Sequence, residues 1–161
     1  MNPTLGDLLS HALDLAAKYH SGTLDRYGAP YIFHPLRVMD RVSSPDEKII
    51  ALLHDVIEDC DVTPEMLLGE GFPASIVSDI DRLSRREGED YDVYISRVMT
   101  SQRAARVKIA DLEDNMDIRR MNSIEQVDLE RLRRYHSNRR KLLNYLRDKV
   151  KKTCFPVSHT L

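Results

Sequence analysis

The sequence has no tryptophan, only three phenylalanines, two cysteines and six glycines among its 161 residues. Two cysteines, Cys60 and Cys154, are too few for a disulfide framework or a thiolate-rich zinc site. Stability must come from an ordinary core, and a reducing cytoplasm is the expected setting. No apolar run approaches the roughly 20 residues that a membrane-spanning helix needs. The first residues also lack the basic-then-apolar pattern of a secretion signal, so no membrane partner is expected. There is no repeat, no low-complexity stretch and no internal linker. One domain over residues 1–152 with a short tail at 153–161 is the expectation, long enough to bury a core without staples. Strand signals are almost missing as well. The one extended candidate, Tyr31-Ile32-Phe33, is too short to found a sheet.

Helical signals fill the space that these absences leave. Hydrophobic residues make up 42% and charged residues 31%, the balance of a soluble globular chain. Thr4 can cap a helix to about residue 19, with Leu5, Leu8, Leu9, Ala12, Leu13 and Ala16 as its apolar stripe. Ser44-Pro45-Asp46-Glu47 combines a cap, a first-turn proline and dipole-matched acids, and predicts a helix over 45–58. Further helices are expected at 35–42, after Thr63-Pro64, at 74–83, 91–99, 104–121 and 125–151. The fold class predicted is all-α, a single domain of roughly eight helices.

Three segments carry residues that a plain helical core does not call for. The first is Ile50-Ala51-Leu52-Leu53-His54-Asp55-Val56-Ile57-Glu58-Asp59. If it is helical, His54 and Glu58 are four apart and Asp55 and Asp59 four apart, which stacks them on one face. Buried carboxylates in that arrangement need a compensating charge, and a bound cation supplies it; the alternative is a solvated acidic face with His54 satisfied in the core. The second is His34, set in Tyr31-Ile32-Phe33-His34-Pro35-Leu36. The third is Val107-Lys108-Ile109-Ala110-Asp111, with Asn115 one turn beyond Asp111. Two His and two Asp offer nitrogen and oxygen donors, a mix that suits Mn²⁺ or another divalent first-row ion.

These ordered motifs resemble the HD-domain metal-dependent phosphohydrolases, whose signature is H…HD…D. Leu52-Leu53-His54-Asp55-Val56-Ile57-Glu58-Asp59 is similar to a segment of the RelA/SpoT-type hydrolase domain and of the small alarmone hydrolases. The resemblance spans about residues 11–121. It implies His34, His54, Asp55 and Asp111 as ligands of one Mn²⁺-type ion, and Glu58 and Asp59 as the pair that handles the attacking water. Asn115 matches a substrate-side polar residue. The implied reaction removes pyrophosphate from the 3′ position of guanosine tetra- or pentaphosphate. Lys108, Arg85 and Arg86 are candidate phosphate contacts, since so charged a substrate needs cations beyond one metal.

The chain also departs from that family. Asp25-Arg26 stands where an Arg-Lys pair is common, and Leu112-Glu113-Asp114 precedes Asn115. Arg26 and Tyr27 remain able to stack on a base. Asp114, beside the Asp111–Asn115 face, is expected to touch substrate and to repel a polyphosphate. Two other functions stay open on this reading: hydrolysis of another phosphomonoester, such as a nucleoside monophosphate or the 2′-phosphate of NADPH, and nucleotide binding without catalysis. From Arg131 to Lys152 there are ten Lys or Arg and one acid, Asp148. Leu132, Tyr135, Leu142, Leu143 and Leu146 give this segment a packing side, so a solvated helix face is expected rather than a nucleic-acid surface. Some of its cations can rim the pocket. The partner expected is a small nucleotide, with the oligomeric state left open.

Overall fold

A computed structural model describes residues 4–154. The order of elements is α1 (Leu5–Tyr19), α2 (Phe33–Asp40), α3 (Pro45–Leu53), α4 (Val56–Asp59), α5 (Pro64–Gly69), α6 (Ala74–Leu83), α7 (Tyr91–Val98), α8 (Gln102–Asn115), a 3-10 turn (Ile118–Arg120) and α9 (Gln126–Cys154). Among the described residues there is no strand, only an isolated antiparallel bridge between Leu24 and Pro30. No helix among them is long and apolar enough to cross a membrane.

The fold is organised around α3. Its residues Ile49 to Leu53 are all buried, and a helix that is apolar on every side belongs in the middle of a domain. It is covered by α1, α2, α6 and α8. The start of α3 is fixed by the residues that announced it. Ser44 accepts from the Glu47 amide at 3.2 Å and Glu47 accepts from the Ser44 amide at 3.3 Å, with Pro45 at the first position. Glu47 is itself buried and is held ionised by Arg106, 2.5 Å away.

The structure departs from the expected boundaries in three places. The helix expected over 45–58 is broken at His54-Asp55, so that nine α-helices stand among the described residues where roughly eight were expected. The reason is geometric: consecutive residues on a regular helix diverge by about 100°, so an adjacent His and Asp can converge on one point only if the helix is interrupted between them. The segment expected over 104–121 ends as α8 at Asn115, because the chain turns through Asp117, whose side chain caps the 3-10 turn. At the other end, α9 takes in Thr153 and Cys154, the first residues of the expected tail, and residues 155–161 lie outside the described ones. The basic segment packs on α8 through Leu142 and Asn138, both buried, and two of its cations pair with Glu113 and Asp92.

Ser44→Ala removes the cap of the central helix. The expected loss is about 1 kcal/mol, seen as a fall of roughly 2–4 °C in Tm for a domain of this size. Ser44→Asp, which keeps an acceptor at the cap, is expected to restore most of it in a thermal melt.

Candidate metal centre

His34 is delivered by the first turn of α2, His54 and Asp55 by the break between α3 and α4, and Asp111 by the last turns of α8. Their polar atoms meet. His54 Nε2 stands 3.0 Å from Asp55 Oδ2 and 3.8 Å from Asp111 Oδ1; His34 Nε2 stands 3.5 Å and 3.2 Å from the same two oxygens. Donors that share one ion at about 2.1–2.2 Å, at angles between square and tetrahedral, lie about 3.0–3.6 Å apart. His34, His54 and Asp111 have ligand atoms that all lie within 4.8 Å of one another, and Asp55 Oδ2 stands beside both imidazoles.

The tautomers point the same way. His54 Nδ1 faces the Ala51 carbonyl at 2.7 Å, and a carbonyl only accepts, so Nδ1 carries the proton. His34 Nδ1 donates to Asp114 Oδ2 at 2.8 Å. Each Nε2 is left with its lone pair aimed at carboxylates, and His54 Nε2 is a buried atom with no hydrogen bond. A ligating imidazole usually shows this outward N–H bond. The electrostatics demand a cation as well. Burial disfavours charge on both rings, yet the surrounding carboxylates outweigh it and draw the pKa of His34 and of His54 upward. Against the same opposing burial, His54 holds Asp55 below the usual carboxylate range, and Lys108 with the two imidazoles holds Asp111 far below it. The donor chemistry of His34, His54 and Asp111 fits a divalent ion, with the Asp55 carboxylate next to both imidazoles.

These groups open into a cavity of about 310 Å³. Glu58 and Asp59 stand at its edge. Partial burial, together with the charge of Asp55, pushes both carboxyls up. Glu58 accepts from the Arg85 amide at 2.7 Å, and Tyr31 Oη donates to Asp55 at 2.6 Å and reaches Asp59 at 3.3 Å. Lys108 lines the cavity with its Nζ 2.7 Å from Asp111 Oδ2. Asn115 donates to Asp111 Oδ1 at 2.5 Å. Arg26 and Tyr27 also line the cavity, the guanidinium 5.6 Å from the ring centroid. Arg85 does not face the main cavity. It donates from its side chain to the Glu89 carbonyl and borders a smaller adjoining space of about 180 Å³, shared with Glu58, Lys108, Asn115 and Arg134. Arg86 is exposed and pairs with Asp81.

Asp114, expected to touch substrate, is among the residues that line the cavity, yet its side chain has no exposed surface and its Oδ2 stands 2.8 Å from His34 Nδ1. Beyond His34, its oxygens accept from Arg37 at 2.7 and 3.0 Å, from Arg41 at 2.7 Å and from Arg120 at 2.8 Å. Burial opposes its charge, but these donors hold it well below the usual carboxylate range. Surrounded by three guanidiniums, it exerts little repulsion on an anion in the cavity. Asp25 is likewise neutralised, by Arg120 at 2.7 Å, and Glu113 turns away to Arg139. Sequence reasoning missed Arg37, Arg41 and Arg120, whereas Arg131, one of the basic-segment cations able to rim the pocket, does line it. One signal was present: His34, Arg37 and Arg41 follow the 3- and 4-residue spacing of one helical face.

Asp114→Asn removes the charge that anchors His34. Mn²⁺ affinity is expected to fall about ten- to a hundredfold, the usual effect of losing an outer partner of a ligating His. Calorimetric titration of the variant below its own melting temperature checks it; unchanged affinity means that Asp114 serves the fold alone.

No family model matches the sequence. The chain is 33% identical over 125 residues to the guanosine-3′,5′-bis(diphosphate) 3′-pyrophosphohydrolase of Vibrio cholerae, a match covering 68% of this chain and 18% of that protein. It is 34% identical over 117 residues to the protein of the same name from Haemophilus influenzae, covering 63% and 17%. It is also 31% identical over 122 residues to the bifunctional (p)ppGpp synthase/hydrolase SpoT of Escherichia coli, covering 67% and 17%. The chain thus spans less than a fifth of the length of these relatives. A solved structure of a metazoan ortholog of SpoT that hydrolyzes ppGpp superposes with a TM-score of 0.69 at 23% identity, over 91% of this chain and 88% of that one. That likeness bears on the fold, which the two share nearly end to end. With the H…HD…D residues brought together as described, the chain belongs to the HD-type hydrolase domains of the RelA/SpoT family.

Proposed function

We propose that this chain is a Mn²⁺-dependent phosphohydrolase that removes pyrophosphate from the 3′ position of guanosine 3′,5′-bis(diphosphate). The observation that carries the reading is the clustering of donor atoms from His34, His54 and Asp111 within 4.8 Å of one another, with Asp55 beside both imidazoles and Glu58 and Asp59 on the cavity wall. Relatives named for this reaction support the choice of substrate. A divalent ion bound there supplies positive charge to the phosphoryl oxygens and brings the pKa of a water toward neutrality.

The remaining work falls to the chain. Glu58 takes the proton of the attacking water, a task favoured by a carboxyl whose pKa lies above its ordinary value and closer to the operating pH. The Arg85 amide fixes one Glu58 oxygen, so the other is free for that proton. Asp59, steadied by Tyr31, orients the water from the neighbouring position. Lys108 holds Asp111 and presents its charge toward the cavity. Arg26 and Tyr27 offer planar groups on which a purine can stack. A substrate with two diphosphates also needs cations away from the acidic centre. Arg131 on the main cavity, and Arg85 and Arg134 on the adjoining one, are the groups placed to meet them. With Asp25 and Asp114 both neutralised by arginines, the features that spoke for a less charged substrate lose their force.

Two measurements test this reading. Purified protein with Mn²⁺ is expected to release pyrophosphate from ppGpp faster than it releases phosphate from NADPH or from nucleoside monophosphates, and EDTA is expected to abolish the activity. Preference for a monophosphate would move the assignment within the family. Glu58→Gln is expected to lower kcat by about a hundredfold or more with Mn²⁺ binding intact. In the wild type, kcat is expected to fall as pH drops through the raised Glu58 pKa, since the base must be ionised, and this limb is expected to vanish in the Gln variant.

A further inference from the structure

Arg120 stands between two parts of the site that sequence does not connect. One branch of its guanidinium, Nη1, donates to Asp114 Oδ2 at 2.8 Å, the same oxygen that accepts from His34 Nδ1. The other branch, Nη2, donates to Asp25 Oδ2 at 2.7 Å. Asp25 uses its second oxygen to cap its own loop, accepting from the amides of Tyr27 at 2.8 Å and Ala29 at 3.0 Å. That loop is otherwise bonded mainly to itself: the Asp25 amide to the Ala29 carbonyl, the Gly28 amide to the Asp25 carbonyl and the Tyr31 amide to the Thr23 carbonyl. Gly28, at φ +83°, makes the tight turn possible. At its far end the loop is fixed by Tyr31 on Asp55. Near its tip it meets the rest of the domain through Asp25 on Arg120 and through the exposed Arg26, 3.4 Å from Asp128. Asp128 is buried while Arg26 is largely exposed, so this second anchor is a half-exposed pair at a longer distance than the 2.7 Å bond of Asp25 to Arg120. Arg120 also lies 5.6 Å from the Tyr27 ring centroid, on the wall of the cavity.

We infer that Arg120 is a positioning residue that couples the metal centre to the Asp25–Ala29 loop, so that loading His34 orders the wall that carries Arg26 and Tyr27. The path is short and each step is a charge-assisted bond: His34 to Asp114, Asp114 to Arg120, Arg120 to Asp25, Asp25 to two loop amides. Coordination at Nε2 makes the Nδ1–H of His34 a stronger donor, which fixes Asp114, and the rigid fork of Arg120 carries that constraint to Asp25. Lysine cannot replace it, because one ammonium lacks the planar fork that reaches two carboxylates at once. By linkage, ordering of the loop strengthens metal binding by the same factor. The inference rests on the metal-centre part of the proposed function and not on the choice of substrate.

Amide hydrogen exchange with Mn²⁺ alone, without nucleotide, tests it. In the wild type, Mn²⁺ is expected to slow exchange at Tyr27 and Ala29 by about tenfold or more, the size of coupling of one to two kcal/mol. In Arg120→Lys those two amides are expected to exchange faster without metal and to show no slowing when Mn²⁺ is added, while Tyr31 keeps its response through Asp55. Asp25→Asn leaves Arg120 and the fold in place, keeps an acceptor for the loop amides and sets an amide against the guanidinium. It is expected to lose the same response, and the double variant to lose no more than either single one. Equal Mn²⁺ protection of Tyr27 and Ala29 in the wild type and in Arg120→Lys overturns the coupling, as does metal binding with no response at these amides in the wild type. Calorimetry on the same samples separates the two claims: no Mn²⁺ bound at all sinks the metal centre itself.

Discussion

Two imidazoles and two carboxylates face one another across 3.0 to 3.8 Å in the interior of this domain, and the rest of the structure depends on that meeting. Without positive charge among them, their lone pairs repel, and burial removes the water that would relieve the repulsion. The fold accepts an interruption of its central helix to create the meeting. A continuous helix would send His54 and Asp55 to different faces; the break lets both side chains reach the point that α2 and α8 also supply.

Around that inner set lies a second layer, and its members divide the work. Asp114 and the Ala51 carbonyl hold the two imidazoles by their outward N–H groups. Lys108 and Asn115 take the two oxygens of Asp111. Arg37, Arg41 and Arg120 keep Asp114 ionised, where a lone buried carboxylate would take up a proton. At the edge, Glu58 and Asp59 remain accessible, and burial with neighbouring acids raises their pKa, which suits proton transfer better than coordination.

Much of this was legible in the residues. The capping box at Ser44 and Glu47, the apolar run before His54, and the order of His34, His54-Asp55 and Asp111 led to an all-α domain and to the buried cluster of His34, His54 and Asp111. What stayed hidden had physical causes. The break at His54-Asp55 is imposed by the destination of two side chains and not by local propensity, since no Gly or Pro marks it. Asp114 reads as an unpaired acid facing substrate because its partners, Arg37 and Arg41, are more than 70 residues away. Asp25 reads as a lost cation for the same reason: Arg120, 95 residues on, restores the charge. A carboxylate's effect on a pocket depends on what neutralises it, and one sequence does not display that pairing.

The central claim is that three distant segments build one divalent-ion site from His34, His54, Asp55 and Asp111. Anomalous scattering from crystals grown with Mn²⁺ tests it most directly. One manganese peak per chain is expected, within about 2.0–2.4 Å of a nitrogen or oxygen from each of the four residues. A peak held elsewhere, or a filled site from which Asp111 or His34 stands apart, would contradict the account.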